Sequence, residues 1–524
     1  MIPSLFNGSV SAGACSAANL PYPTLFGAEF LSLQANPVSN FSQASHIGLY
    51  VNHGAVAVEN LNFCNVTISY THPGQNDKIH VQVWMPSGDA WNGRLQMLGG
   101  AGWQAGLHMA GLMGMASAAS EGYASFGTDG GLGSDVYPTD WALVSDGNVN
   151  QYLLQDLASV SLNDASVIAK DIAKSYYGQA ASYTYYSGCS QGGRQGLMLA
   201  QRYPDAFDGI AASAPAINWA EFFLSYWYPS VLMDQLEEYP PSCEIDAITA
   251  AAVEACDGLD GVVDNVISYP DLCDFDPASV VGQVINCTNF GDERPISAAA
   301  ATLVQAAWDG PKRGDNSSIW FGLNQDSVLG DSAYQQGIIS TTCGSNGTCT
   351  LNEIELATDW VKLFLYKNSN SSTSHISHEE FDRLAHLSKN MYESIISAND
   401  PDLSEFRARG GKIVGYHGLA DNIIAPGGSK LYYENVLAQE PNAQDFYRLF
   451  FAPGLGHCFT GPGAYPDSTF DAMREWVETG VAPEILNATS TDAPIISRPL
   501  CPYPQEQKYD GVGNSTAGEG FYCE

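Results

Sequence analysis

Basic side chains are scarce in this chain. Its 524 residues include only 21 Lys and Arg against 57 Asp and Glu, a formal net charge of −36. A nucleic-acid partner needs clustered cations to meet its phosphates, so that class is excluded, and anionic membrane surfaces are disfavoured for the same reason. No run of about 20 consecutive apolar residues occurs, which removes a membrane span. There is no internal repeat or low-complexity tract, so a solenoid is not expected. Cys-x-x-Cys pairs are also missing, and with them the cysteine-based zinc motifs. Met1-Ile2-Pro3-Ser4 offers neither a basic nor an apolar leader region, so the chain is read as already mature.

What is present is enough apolar material for a large core: 45% hydrophobic residues against 15% charged, which excludes wholesale disorder. The length suits two globular units or one large domain carrying an insertion. The 12 cysteines are an even number, as a disulfide framework requires. Asn-x-Ser/Thr sequons occur at Asn7, Asn40, Asn65, Asn286, Asn316, Asn346, Asn370, Asn487 and Asn514. Together they predict an oxidising secretory route and a secreted, soluble, glycosylated protein, monomer or homodimer.

Strands are predicted at Lys78–Met85, Arg94–Leu98, Tyr123–Gly127, Tyr183–Ser187, Phe207–Ala212, Lys412–Tyr416 and Phe446–Ala452. Helices are predicted over Gln151–Tyr177, Gly192–Arg202 and Thr469–Thr479, the first from its apolar stripe Leu153, Leu154, Leu157, Val160, Val167, Ile168 and Ile172. Strands alternating with helices imply a mostly parallel sheet covered on both faces. From about residue 217 to 390 the alternation fails, and aromatics, half of the cysteines and several sequons mix instead. The expected layout is an α/β core of residues 1–216 and 391–524, interrupted by an inserted cap, or lid, of residues 217–390.

Gly188-Cys189-Ser190-Gln191-Gly192 is the only G-x-S-x-G string in the chain. It falls between a predicted strand and a predicted helix, the setting of a nucleophile elbow, although a glycine-rich loop that happens to hold a serine has the same letters. A serine hydroxyl needs a base, and the base a carboxylate to orient it, in the chain order Ser, Asp, His for this fold. Asp421 and His457 satisfy that order, each in a glycine-containing loop after a strand. His417 is the rival base, but it precedes Asp421 and is assigned a structural role. Cys189 adjoins the serine and Cys458 adjoins the histidine. If the two loops meet, a disulfide between them would tie nucleophile to base and close a loop of about 269 residues, worth roughly 4–5 kcal/mol in loop-entropy models.

G-C-S-x-G-G with a later G-x-x-D and G-x-x-H-C resembles the tannase and feruloyl esterase family, which also includes an esterase of mono(hydroxyethyl) terephthalate. The resemblance extends through Cys64-Asn65-Val66-Thr67, Trp91-Asn92-Gly93-Arg94, Tyr239–Glu244, Cys256–Gly261 and Asp271–Cys273. It implies an α/β-hydrolase core with a lid, a Ser190–Asp421–His457 triad and a Cys189–Cys458 bridge. It also implies an oxyanion hole from the amide of Gln191 and one amide of Gly100, Ala101 or Gly102.

By the same resemblance, a structural Ca²⁺ would sit in the lid on Asp257, Asp260 and Asp264 and the carbonyls of Val262 and Val266, clamped by Cys256 and Cys273. Taken alone, three carboxylates in a short loop are more often solvated. Cys15–Cys64 and Cys501–Cys523 follow by family analogy, Cys343–Cys349 by closeness and Cys243–Cys287 as the remaining pair. No organic cofactor is implied. The implied activity is secreted serine-ester hydrolysis on a phenolic ester or a feruloylated or galloylated saccharide, with feruloyl esterase favoured over tannase. A non-catalytic binding protein and a peptidase on the same fold are the competing classes. Trp219, Phe222, Tyr226, Trp227 and Trp103 are candidates either for core packing or for stacking on an aromatic acyl group.

Overall fold

The computed structural model describes residues 15–44, 46–287, 292–331, 336–344, 347–491 and 494–524; the sequons at Asn7 and Asn346 lie outside them. Its main sheet has nine strands: β1 (Glu29–Gln43), β2 (Val58–Thr71), β3 (Ile79–Pro86), β4 (Arg94–Leu98), β5 (Ala124–Thr128), β6 (Tyr183–Cys189), β7 (Gly209–Ser213), β8 (Lys412–Gly418) and β9 (Tyr447–Ala452). Their spatial order is β1-β2-β3-β5-β4-β6-β7-β8-β9. The pairs from β1 to β5 are antiparallel, and every pair from β5 to β9 is parallel. All residues of β5 and β7 are buried, as helices on both faces of a parallel sheet demand.

β1 and β2 were not among the strands expected from sequence. β1 is a mostly exposed edge strand with three register shifts against β2, and each shift resets the two-residue period by which a strand is recognised.

The helices of the core that precede the insertion are α1 (Met109–Ser120), α2 (Gln151–Ala158), α3 (Val160–Tyr177) and α4 (Gln191–Arg202), and the expected Thr469–Thr479 helix follows it. The single helix expected over Gln151–Tyr177 is therefore two. Ser159 departs from helical geometry at φ −165°, ψ −35°. The carbonyls of Leu157 and Ala158 accept instead from the buried Arg194 guanidinium, each at 3.1 Å. The apolar stripe runs through the break, so periodicity alone could not reveal it.

Between Ser213 and Lys412 no described segment joins the main sheet. That stretch contains α5 (Trp219–Leu236), α6 (Ser242–Cys256), α7 (Ala298–Asp309) and α8 (His378–Ile396), with two short hairpins. The expected lid boundary at residue 390 falls inside α8, whose Phe381, Leu384, Tyr392 and Ile396 all share one core with α5 and α7. Trp103, from the loop after β4, is buried in that same core. Its ring lies nearly parallel to Phe223 at 5.3 Å and to Phe364 at 5.2 Å, and its Nε1–H donates to Leu356 O. The insertion thus grips the glycine loop that borders the cavity described next.

Candidate active site

β6 ends at Cys189 and α4 begins at Gln191, so Ser190 alone makes the turn. Its backbone is held at φ 63°, ψ −124°, a conformation costly for a residue with a side chain and kept only where the surroundings impose it. The flanking glycines are required by space. A Cβ on Gly188 would come within 2.6 Å of the Gly192 backbone, and one on Gly193 within 2.4 Å of Ser213 O. Beneath the turn, the buried Asn52 amide donates to Ser187 Oγ at 3.0 Å and accepts from Ser213 Oγ at 2.5 Å. This strand–turn–helix arrangement matches a nucleophile elbow.

β4 is paired to β5 on one side and β6 on the other, a switch point where crevices open beyond the carboxyl ends of strands. Register pairs Leu98 with Ser187, and the Gly99 amide donates to Ser187 O at 2.9 Å, which sets the glycine loop beside the elbow. Of the expected oxyanion donors, Gly100 is already engaged: its amide donates to Gln195 Oε1 at 2.8 Å. The Ala101 carbonyl accepts from the Gln104 amide at 3.0 Å, which does not engage the Ala101 amide. The completely buried Gln195, which also donates to Ala105 O at 3.0 Å, holds the loop. Sequence reasoning missed Asn52, Gln195 and Arg194. The one available signal was a polar residue on the inner face of α4, which for Gln195 and Arg194 meant a buried hydrogen-bonding task.

Asp421 follows β8 and is fully buried. Its Oδ1 accepts from the amides of Ile423 and Ile424, each at 2.9 Å. Its Oδ2 faces His457 Nδ1 at 2.9 Å and His417 Nε2 at 3.1 Å. Burial alone would push this carboxyl up, but the charge of His457, hydrogen bonds from both histidines and the charge of His417 outweigh it and hold the group well below the usual carboxylate range. His417 is itself completely buried, with Nε2 also at 3.0 Å from the carbonyl of Ile424 and Nδ1 at 2.7 Å from Ser429 Oγ. It props the carboxylate from behind and does not line the cavity.

His457 lies in the loop after β9. The next residue, Cys458, has φ 61°, its carbonyl accepts from Tyr416 Oη at 2.6 Å, and its sulfur is bonded to Cys189. Strained backbone therefore stands at both ends of the cystine. Ser190 and His457 line the same cavity. The Ser190 hydroxyl makes no hydrogen bond to a described residue, so it is the cavity wall and the cystine that join the two. The other bridges are Cys15–Cys64, Cys243–Cys287, Cys256–Cys273, Cys343–Cys349 and Cys501–Cys523.

The cavity holds about 870 Å³ and is walled on its far side by Trp219, Phe222, Phe223, Leu356 and Ile423. Of the aromatics singled out in the sequence, Trp219 and Phe222 face it; Tyr226, Trp227 and Trp103 are core.

In the loop after α6, Asp257 accepts from the amides of Asp264 and Asn265, and Asp260 from Val262 N and Ser268 Oγ. Asp264 pairs with the Arg498 guanidinium, while its Oδ1 is buried without a partner. Burial raises the Asp264 carboxyl, and the nearby Asp260 and Asp257 add to the rise against the opposing pull of Arg498. The three carboxylates do not bring their ligand atoms within 4.8 Å of one another. Among the sequons, Asn40, Asn286, Asn316, Asn370, Asn487 and Asn514 are exposed, whereas Asn65 is half-buried and donates to Gln82 Oε1.

A mostly parallel sheet, helices on both faces and a serine on a strained turn at the switch point define an α/β-hydrolase fold. Residues 64–524 match the family described as "Tannase and feruloyl esterase". A "Probable feruloyl esterase" of Arthroderma benhamiae is 39% identical over 88% of this chain and 86% of its own. The "Tannase" of Aspergillus oryzae is 28% identical over 93% and 89%. The solved "Tannin acyl hydrolase from Aspergillus niger" superposes with a TM-score of 0.85 at 27% identity, covering 98% of this chain and 95% of that one. The chain belongs to the tannase and feruloyl esterase family of carboxylic ester hydrolases. Among the described residues no helix is long and apolar enough to cross a membrane.

Proposed function

We propose that the protein is a secreted serine esterase that releases phenolic acids, hydroxycinnamic acids foremost, from plant cell-wall esters. His457 Nε2 takes the Ser190 proton as Oγ attacks the ester carbonyl, and the imidazolium then returns that proton to the leaving alcohol. Water, deprotonated by the same imidazole, hydrolyses the acyl-enzyme and frees acid and serine. Asp421 stays ionised, orients the ring through Nδ1–H and stabilises its charge. Gln191 and one amide of Ala101 or Gly102 are the oxyanion donors that the engagement of Gly100 favours. The observation that carries this reading is the buried Asp421–His457 pair, tied by the Cys189–Cys458 bridge to the turn that bears Ser190.

The cavity is large and its far wall apolar and aromatic, which suits an aromatic acyl group. A galloyl ester is the second reading, favoured by the close superposition on the tannin acyl hydrolase. Turnover of methyl ferulate, methyl gallate and a p-nitrophenyl ester, wild type against Ser190→Ala, tests both. Ferulate hydrolysis lost in the variant supports the first, and a preference for gallate supports the second. Turnover equal in the two proteins on every ester removes the catalytic assignment.

Calcium belongs to the same proposal. The donor set is hard oxygen, as Ca²⁺ prefers, and the orphaned Asp264 oxygen offers a cation one open ligand; Asp257, Asp260 and Asp264 would draw together around it, with Val262 and Val266 supplying carbonyls. Its contribution would be to hold the loop after α6 in shape, with no step of the hydrolysis passing through it.

A further inference from the structure

A second acidic cluster lies where the turn between β2 and β3 meets α2 and α3. Asp77, Asp156 and Asp164 are buried there around His72. Among the described residues, the His72 imidazole is the only basic side chain paired with Asp77 and Asp164. Its Nδ1 is 2.5 Å from Asp77 Oδ2 and its Nε2 is 3.1 Å from Asp164 Oδ2.

Asp156 is the unexplained member. It is 1% exposed, and neither of its carboxylate oxygens has a hydrogen-bond partner among the described residues. A buried carboxylate without a partner is strongly disfavoured, and protonation would give it a hydroxyl with no acceptor. Yet it points at the others: one ligand atom each from His72, Asp77 and Asp156 lie within 4.8 Å of one another.

The surrounding groups are arranged as around a metal. Asp77 spends Oδ1 on the Thr71 hydroxyl and the His72 amide, both at 2.8 Å, which leaves Oδ2 facing the imidazole. Asp164, itself held by Tyr70 Oη at 3.0 Å, faces Nε2 of His72 at 3.1 Å, so that with the proton on Nε2 the Nδ1 lone pair is turned toward Asp77 Oδ2, where an ion would sit. A carboxylate behind a ligating histidine is the usual outer partner of a zinc-bound imidazole.

We propose that His72 Nδ1, Asp77 and Asp156 bind a divalent transition-metal ion, of which Zn²⁺ fits best, with water in the fourth position. One imidazole nitrogen with two carboxylates suits Zn²⁺ and does not suit Ca²⁺. Two carboxylates also balance the ion's charge. Tetrahedral ligands about 2.1 Å from zinc stand about 3.4 Å apart, so His72 and Asp77 need to part by only about 1 Å. The ion would bind the β2–β3 turn to α2, whose last carbonyls hold Arg194 on the helix that opens at Ser190. The site is structural and does not depend on the esterase assignment.

The test uses the full chain, stripped with chelator and then titrated separately with Zn²⁺ and Co²⁺. Wild type is expected to retain one Zn²⁺ per chain by elemental analysis after gel filtration, and its Co²⁺ form to show the visible absorption of a tetrahedral site. Asp156→Asn and His72→Gln should each weaken uptake by about 100-fold, and Asp164→Asn by about 10-fold. Asp260→Asn, in the loop after α6, should leave Zn²⁺ stoichiometry unchanged. Wild type without stoichiometric Zn²⁺, or Asp156→Asn retaining it in full, overturns the proposal. Should His72→Gln fail to fold, a wild-type Co²⁺ form without tetrahedral absorption is by itself sufficient to reject it.

Discussion

Ser190 and His457 sit on turns leaving parallel strands, whereas Trp219 and Phe222, across the same cavity, project from a helix of the insertion. The first wall is positioned by backbone register, by residues forced to positive φ and by a cystine. The second is positioned by apolar side chains packed on one another. Backbone and covalent constraints fix atoms to within fractions of an ångström, as chemistry requires. Side-chain packing tolerates volume-conserving exchange and so can vary with the substrate. The comparison predicts that damage to the first wall reduces turnover and damage to the second alters binding.

The largest effect is expected at Asp421. Asp421→Asn should lower kcat by about 10⁴-fold, because an amide cannot accept from both imidazoles and two backbone amides while stabilising an imidazolium. The sign of its pH signature also follows. Burial would raise this carboxyl, but His457 and His417 hold it below the unfolded value of about 3.9. Its stabilisation is therefore present above that value and lost as pH falls through the folded one. The stability gap between wild type and Asp421→Asn, read from denaturant midpoints, should stay flat from about pH 5 to 8 and narrow below about pH 4. A gap that widens toward acid would contradict the assignment.

Next comes the bridge. Replacing Cys189 and Cys458 together by Ala should cost on the order of 100-fold in kcat, since a shift of about 1 Å between base and nucleophile suffices for that. Circular dichroism should show the fold retained, with a lower melting temperature from release of a 269-residue loop. Full turnover in the double variant would make the bridge a stability device only. A smaller effect is expected across the cavity. Phe222→Ala should raise KM for an aryl ester about 10-fold, equivalent to about 1.4 kcal/mol, with kcat within about 3-fold. Trp103→Ala, inside the insertion core, should instead cost about 3–5 kcal/mol of stability.

The same division decides what could be read from the chain. The strands of the first wall announced themselves as short apolar and aromatic runs closed by glycine-containing turns, and Ser190, Asp421 and His457 each stand a few residues past such a strand. The insertion did not, because α5 is apolar on nearly every side: Trp219, Phe222, Phe223, Tyr226 and Trp227 are all buried, and a helix buried all round has no stripe to detect. The bend at Ser159 was illegible for a different reason. Its freed carbonyls are met by Arg194, which is 35 positions from Ser159 in sequence and is brought there by tertiary contact. Gln195 and Asn52 belong to the same class, polar residues whose partners are set by tertiary contact.

The smallest predicted effect bears on the loop after α6. If Asp257, Asp260 and Asp264 hold Ca²⁺, removing it should leave the strand-end wall intact and loosen the loop after α6. A cation at about 100 times its dissociation constant contributes about 2.7 kcal/mol, so chelation should lower the melting temperature by a few degrees. Re-addition of Ca²⁺ alone should restore it in wild type and not in Asp260→Asn. Labelling of Ser190 by an organophosphonate should proceed at nearly the same rate with and without the ion, because the covalent link between the elbow and the base loop is their own cystine, while this loop only packs against the base loop through Val266 beside Gly454. If chelation also abolished labelling, the two walls would not be independent, and the insertion would have to be counted as part of the machinery that positions the serine.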